Sequence, residues 1–350
     1  MTAPLMGNFP AHIAADSAVA VWRLPHTDEV QFCYTHQAQH SAWNGNDAGF
    51  VINPFHSALP QVFIRGELTH TTTQELLLSS LEVPSTATAT VQLQQAEYER
   101  YVAQSVATIQ SGMMHKTVAA RNTSVALTDF SALPTFVQLC EKYPAAFVSL
   151  VYHPTCGLWM GATPERLLSA KNNTLQSMAL AGTRNAQQEW TDKELDEQHW
   201  VTEFIEACFI SASLEPRIAP LKELHAGNNL QHLVNYIDAQ LPELFSAQQL
   251  LPLLQQLHPT PAVGGLPKEA AMDWIMQHEP GERNYYSGYL GPVTSAQDFD
   301  LFVNLRCMQV SGNTAILFAG AGITALSNPT AEWLETERKM QIIKSVLQST

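Results

Sequence analysis

Two short stretches carry matched pairs of carboxylates. Glu194 and Glu197 stand three residues apart, and so do Glu332 and Glu335, with Lys339 four residues further on. Helical spacing puts each set on one face. Four carboxylates converging in a mostly apolar protein repel unless a cation sits among them. Oxygen-only ligands suit magnesium (Mg2+), which keeps some of its waters and completes its shell with an anionic substrate. The plainer alternative is two solvated faces that never meet, since Glu-x-x-Glu is common on helices. Lys116 and Glu165 are the candidate base and acid. A lysine works as a base only where burial or a nearby cation lowers its proton affinity, and a glutamate works as an acid only where an apolar pocket keeps it protonated. Arg306 lies in the apolar run Phe302-Val-Asn-Leu-Arg-Cys307, so it needs an anion, either a ligand carboxylate or a structural partner. His232 and His258 fit packed, hydrogen-bonded side chains.

These residues need elements to hold them. Asn328-Pro329 signals the start of a C-terminal helix, to which Trp333, Leu334, Ile342 and Leu347 add apolar contacts. Thr191-Asp-Lys-Glu194 is a capping box that opens a long helix to about Ser213. Phe318-Ala-Gly-Ala-Gly-Ile323, after the apolar run Thr314 to Leu317, is expected to form a glycine turn. There Gly320 and Gly322 would let the backbone approach an anion. Met113 to Arg121 predicts a strand with Lys116 at its head, and Ala181-Gly-Thr183 a tight turn. Helices are expected over about 93–111 and 133–143, in leucine-rich parts of 215–257, and from Pro267 at a first helical position. Strands are expected at 147–152, 157–161, 174–180, 286–290, 299–309 and 314–318. Polar breaks fall at Ser85 to Thr90 and Ala226 to Asn229. Residues 1–90 form a strand-rich opening section without visible chemistry, in which Cys33 suits packing. Strands at hairpin spacing with long helices between the groups imply an antiparallel α+β architecture. The absence of G-x-G-x-x-G and Walker loops disfavours a doubly wound nucleotide fold.

Composition narrows the function. Hydrophobic residues make up 45% and charged residues only 14%, against about 25% charged in an ordinary domain. The net charge of -14 argues against nucleic acid or an anionic membrane as partner. Five scattered cysteines without a C-x-x-C pair fit a reducing cytoplasm and give no zinc signature. No secretory signal is expected at the N-terminus, and no run approaches the roughly 18 apolar residues of a membrane span.

Taken in order, nine motifs resemble those of the chorismate-utilising enzymes, the family of isochorismate, salicylate, anthranilate and aminodeoxychorismate synthases. They are Lys116-Thr-Val-Ala-Ala-Arg121, Gly161-Ala-Thr-Pro-Glu-Arg-Leu167, Ala181-Gly-Thr183, Lys193-Glu-Leu-Asp-Glu197, His258-Pro-Thr-Pro-Ala-Val-Gly-Gly265, Tyr286-Ser-Gly288, Asn304-Leu-Arg306, Ala319-Gly-Ala-Gly322 and Glu332 to Lys339. The resemblance covers roughly residues 94–347 and implies one chorismate-binding domain over 1–350, with two large antiparallel β-sheets packed together and helices outside.

It further implies that Glu197 and Glu335 bind Mg2+ with Glu194 and Glu332 in support. The metal, backbone groups at Gly182 and Thr183, and Lys339 would hold the ring carboxylate of chorismate. Arg306 and the Gly320 backbone would hold the pyruvyl carboxylate, with Tyr286 and Leu305 nearby. Lys116 and Ala262 resemble the water-adding members, which implies an isochorismate synthase working as a monomer without a glutaminase. Lys116 would activate water at ring carbon 2 while Glu165 protonates the departing carbon 4 hydroxyl. Salicylate synthase, which eliminates pyruvate afterwards, is the nearest alternative, and anthranilate synthase is more distant. Both menaquinone and catechol siderophore pathways are compatible. The chain has Glu197-Gln198-His199 where many relatives have Glu-His, which puts any role of that histidine in question.

Overall fold

The computed structural model describes residues 8–84, 93–185, 187–225 and 230–347. Its strands and helices are numbered here in chain order. One nine-stranded antiparallel sheet runs β16 (Gly265–Leu266), β8 (Lys116–Ala126), β20 (Thr314–Ile323), β19 (Cys307–Ser311) and β10 (Gly157–Thr163). It continues through β9 (Phe147–His153), β2 (Ala18–Arg23), β3 (Val30–Thr35) and β6 (Thr69–Thr71). The second sheet runs β13 (Arg217–Ile218), β15 (Leu230–Gln240), β12 (Thr174–Asn185), β11 (Arg166–Lys171) and β18 (Asp298–Val303). It ends with β17 (Tyr289–Ser295), β4 (Gly49–Asn53) and β5 (Val62–Arg65), while β14 (Lys222–His225) pairs with β15. A small parallel pair joins β1 (His12–Ile13) to β7 (Ser80–Leu81). The helices are α1 (Thr73–Leu77), α2 (Gln95–Gln110), α3 (Ala132–Lys142), α4 (Asp192–Ser211), α5 (Ala247–Leu257), α6 (Lys268–His278) and α7 (Pro329–Leu347).

Strand alternation builds the layers. On β2, Ala18, Ala20 and Trp22 face a core shared with Phe50 and Ile52 of β4 and Phe302 of β18, so the two sheets pack face to face. Phe147 stacks on Phe302 across that interface at 4.1 Å. The intervening Val19 and Val21 face an outer core with α3 and α7. The outer face of the second sheet packs on α4 and α5. Because both faces of the central strands are buried, they appear in the sequence as nearly unbroken apolar runs. Strands of the opening section join both sheets: β2, β3 and β6 the first, β4 and β5 the second.

Several expectations are corrected. Phe299 to Gln309 is two strands, β18 and β19, which belong to different sheets. The chain crosses at Asn304–Arg306, so Arg306 is in a crossover with φ +48° rather than inside a strand. The expected glycine turn at 318–323 is the end of one continuous strand, β20, paired residue by residue with β8. The expected turn at Ala181-Gly-Thr183 is a bulge within β12, where Gly182 adopts φ +67°. Most of 215–240 is strand, with the helix confined to α5. Leu233 and Ile237 have helix-like spacing, but β12 offers a long ladder partner that overrides it. β8 runs from Lys116 to Ala126 rather than 113–121, β17 begins at Tyr289 rather than Tyr286, and Pro267 caps α6 rather than starting it. Leu334 is 53% exposed and adds no core contact. The polar breaks at Ser85–Thr90 and Ala226–Asn229 lie outside the described residues.

Candidate active site

The chain hops between the sheets at two neighbouring places, and each hop carries a charged side chain. Pro164 and Glu165 join β10 to β11, and Asn304 to Arg306 join β18 to β19. The hops are hydrogen-bonded to each other, Val303 N–H donating to the Glu165 carbonyl at 2.9 Å and Ala162 N–H to the Arg306 carbonyl at 3.1 Å. Both side chains line a cavity of about 150 Å³ with Lys116, Glu194, Glu197, Glu335 and Lys339. Gly182, Ala262, Tyr286, Leu305 and Gly320 complete the expected residues found there. Glu332 is 4% exposed but is not among the lining residues. The Thr183 side chain lies outside the described residues.

Lys116 is 2% exposed, and its Nζ donates to Glu197 Oε2 at 3.0 Å. Strand alternation explains the space they occupy: Gly322 pairs with Val118 on the neighbouring strand, and a methyl group on it would lie 3.2 Å from Glu197 Oε2 and 3.3 Å from Lys116 Cε. Gly320 makes similar room for the Tyr286 hydroxyl, 3.0 Å from its would-be Cβ. At the start of α4, Glu194 accepts from Thr191 N–H at 3.0 Å, so the expected capping box forms. On α7, Asn328 Oδ1 accepts from Ala331 N–H at 3.0 Å, which sets the helix start. One helical turn apart, Glu335 and Lys339 pair at 2.7 Å, and Lys339 also donates to the Gly320 carbonyl at 2.8 Å.

Carboxylates from α4 and α7 therefore do share a cavity, with Glu197 and Glu335 paired to lysines and Glu194 in the helix cap. Among the described residues no group of three or more His, Cys, Asp or Glu is gathered closely enough to hold a metal ion. The donor set itself, Glu194, Glu197 and Glu335 with oxygens only, has the chemistry of a hard divalent cation site.

Burial dominates the titration of the rest. It raises Glu165 to about 8, against the opposing pull of Lys116, Lys339 and Arg306, so the carboxyl holds its proton at neutral pH. Burial also lowers Arg306 to about 10 and His232 to about 3. His232 lies 3.1 Å from Arg306 through Nε2 and 3.1 Å from the Gly182 carbonyl through Nδ1. A guanidinium can only donate, so Nε2 accepts and the proton sits on Nδ1. The neutral imidazole thus joins the Gly182 bulge to Arg306.

His232 is buried and hydrogen-bonded as expected, but it also lines the cavity, because its segment is the strand β15 rather than a helix. Gln198 is buried and holds α4 to the second sheet. Its Oε1 accepts from Ala181 N–H at 2.9 Å, while Nε2 donates to the Ala179 carbonyl at 2.9 Å and Asn235 Oδ1 at 3.0 Å. The adjacent His199 is exposed and pairs with Glu203. Phe318 and Val118 also line the cavity. They alternate with Gly320 and Lys116, a signal that the strand period could have supplied.

The sequence model of chorismate-binding enzymes matches residues 64–348. The chain belongs to that family. It is 34% identical over 201 residues to isochorismate synthase MenF of Bacillus subtilis strain 168, covering 54% of this chain and 42% of the relative. It is 32% identical over 266 residues to the salicylate biosynthesis isochorismate synthase of Pseudomonas aeruginosa PAO1, covering 72% and 54%. The chain thus spans about half the length of these relatives. The fold resembles that of isochorismate synthase DhbC from Bacillus anthracis, with a TM-score of 0.78 at 22% identity over 96% of this chain and 97% of that one. It also resembles anthranilate synthase component I from Streptococcus pneumoniae, with a TM-score of 0.67 at 17% identity over 88% and 82%. Among the described residues no helix is long and apolar enough to cross a membrane.

Proposed function

We propose that this chorismate-binding enzyme is an isochorismate synthase, an isomerase that moves a hydroxyl group on chorismate from ring carbon 4 to ring carbon 2. The observation that carries this reading is a buried, proton-holding Glu165 in the same cavity as the buried amine of Lys116. A base and an acid acting on opposite ends of the same allylic system are what the reaction needs. Lys116 takes a proton from the water that adds at carbon 2. Glu165 gives its proton to the hydroxyl leaving carbon 4, and the ring double bond shifts between them. Arg306 holds the pyruvyl carboxylate with the Gly320 backbone, and its partner on the protein is the neutral His232 rather than a carboxylate, which suits an incoming anion. Lys339 and the backbone groups at Gly182 and Thr183 would face the ring carboxylate, with Ala262, Tyr286 and Leu305 bounding the ring. Mg2+ held by Glu197 and Glu335, with Glu194 and Glu332 in support, would supply the positive charge that anchors the ring carboxylate.

We further propose that the chain acts as one domain, as a cytoplasmic monomer without a glutaminase. Incubating purified protein with chorismate, with and without Mg2+, and identifying the product by mass spectrometry tests the assignment. Metal-dependent isochorismate is expected. Salicylate with pyruvate would move the chain to the salicylate synthases, and no conversion would overturn the reading.

A further inference from the structure

The Lys116 strand is only briefly covered along one edge. β16 pairs with β8 at Lys116 and Thr117, and Val118 N–H donates to the Gly264 carbonyl at 2.9 Å. Beyond that point two side chains take over the ladder. Ala120 N–H donates to Glu279 Oε2 at 2.9 Å, and Arg283 Nη2 donates to the Val118 carbonyl at 2.7 Å. The two are bound to each other, Arg283 Nε and Nη2 reaching Glu279 at 2.6 and 2.7 Å. Their side chains are 3% and 4% exposed, and the guanidinium lies 4.1 Å from the ring centre of Phe55.

The same pair reaches two more walls of the cavity. Arg283 Nη1 donates to the Val263 carbonyl at 2.7 Å, one residue from Ala262. The Arg283 carbonyl accepts from Tyr286 N–H at 2.9 Å. Neither Glu279 nor Arg283 lines the cavity itself. The strand bearing Lys116, the loop bearing Ala262 and the turn bearing Tyr286 are therefore tied to one buried ion pair.

We infer that Glu279 and Arg283 are positioning residues: a side-chain substitute for a missing strand that sets where the Lys116 amine stands relative to the ring-binding wall. The inference rests on the isochorismate synthase reading for its catalytic consequence, while the positioning itself does not. Arg283 is suited to the task because a planar guanidinium bonds Glu279, Val118 and Val263 at once. A lysine keeps the charge but cannot span the three.

Arg283→Lys and Glu279→Gln test it, measured as kcat and KM for chorismate, thermal stability, and the nitrogen-15 signal of the Lys116 side chain, assigned with Lys116→Arg. Displacing a reacting group by a fraction of an ångström to one ångström costs on the order of 10- to 100-fold in rate. Arg283→Lys is therefore expected to lose at least ~10-fold in kcat, more than KM rises, and to shift the Lys116 signal. Tyr152→Phe, which removes a part-buried hydrogen bond to Ala15 at the edge of the outer core, serves as a variant that loses stability without touching the cavity. If Arg283→Lys behaves like Tyr152→Phe, with lower stability but unchanged kcat and an unmoved Lys116 signal, the positioning role is overturned. Should the wild type make no isochorismate, the functional reading fails on its own, and the Lys116 signal still decides the positioning claim.

Discussion

Replacing Glu165 by glutamine should stabilise the protein at neutral pH while removing its turnover. The carboxyl is buried, and burial raises its pKa from 4.5 to about 8. Between those values the unfolded chain releases this proton and the folded chain keeps it. Stability is therefore full below pH ~4.5 and falls as the pH rises toward 8. Each pH unit in that window costs about 1.4 kcal/mol from this one group. Glutamine is nearly the same shape and uncharged in both states, so the variant lacks this slope. Groups elsewhere titrate alike in both proteins and cancel in the comparison. Urea unfolding of wild type and Glu165→Gln at pH 5 and pH 7 should show the variant gaining about 2–3 kcal/mol on the wild type between the two conditions. Turnover should fall at least ~100-fold, the usual scale for losing a general acid. A stability gap that stays constant with pH would mean that Glu165 is ionised in the folded protein. It could then not protonate a leaving hydroxyl, and the acid assignment would be lost.

Lys116→Ala should fold and bind chorismate by calorimetry yet lose at least ~100-fold in turnover; normal turnover would remove lysine from the base role. Gly322→Ala adds a methyl group 3.2 Å from Glu197 Oε2 and 3.3 Å from Lys116 Cε, without demanding a left-handed backbone. By shifting that pair a few tenths of an ångström it should cost ~10-fold in kcat. An unaffected kcat would show that the Lys116–Glu197 distance does not matter to the reaction. Gln198→Leu removes the acceptor of the buried Ala181 N–H and should cost about 1–3 kcal/mol in urea unfolding. An unchanged midpoint would mean that α4 is held to the second sheet by other contacts.

Features that are local in the chain were legible in the sequence. The caps at Thr191 and Asn328 formed because their partners lie three residues away. Glu335 and Lys339 met because helix geometry fixes a four-residue spacing. Most strands of the first sheet were visible as apolar runs because both faces are buried. What failed was continuity. Phe302 to Cys307 is apolar enough for one strand, and no residue type in it marks the change of sheet. Leu233 and Ile237 fit a helix until the long ladder with β12 is counted.

The sequence by itself determined the chemical inventory: the Glu-x-x-Glu pairs, Lys116, Glu165, Arg306 and the ordered motifs that resemble a chorismate enzyme. Tertiary structure alone decided which of these meet and in what state. Glu165 holds its proton because a crossover between two sheets buries it, His232 is neutral because it is buried, with Arg306 facing it, and Glu279 with Arg283 became part of a strand edge. Burial and opposing charge arise from segments more than a hundred residues apart in several of these contacts, and a one-dimensional pattern carries no measure of that distance.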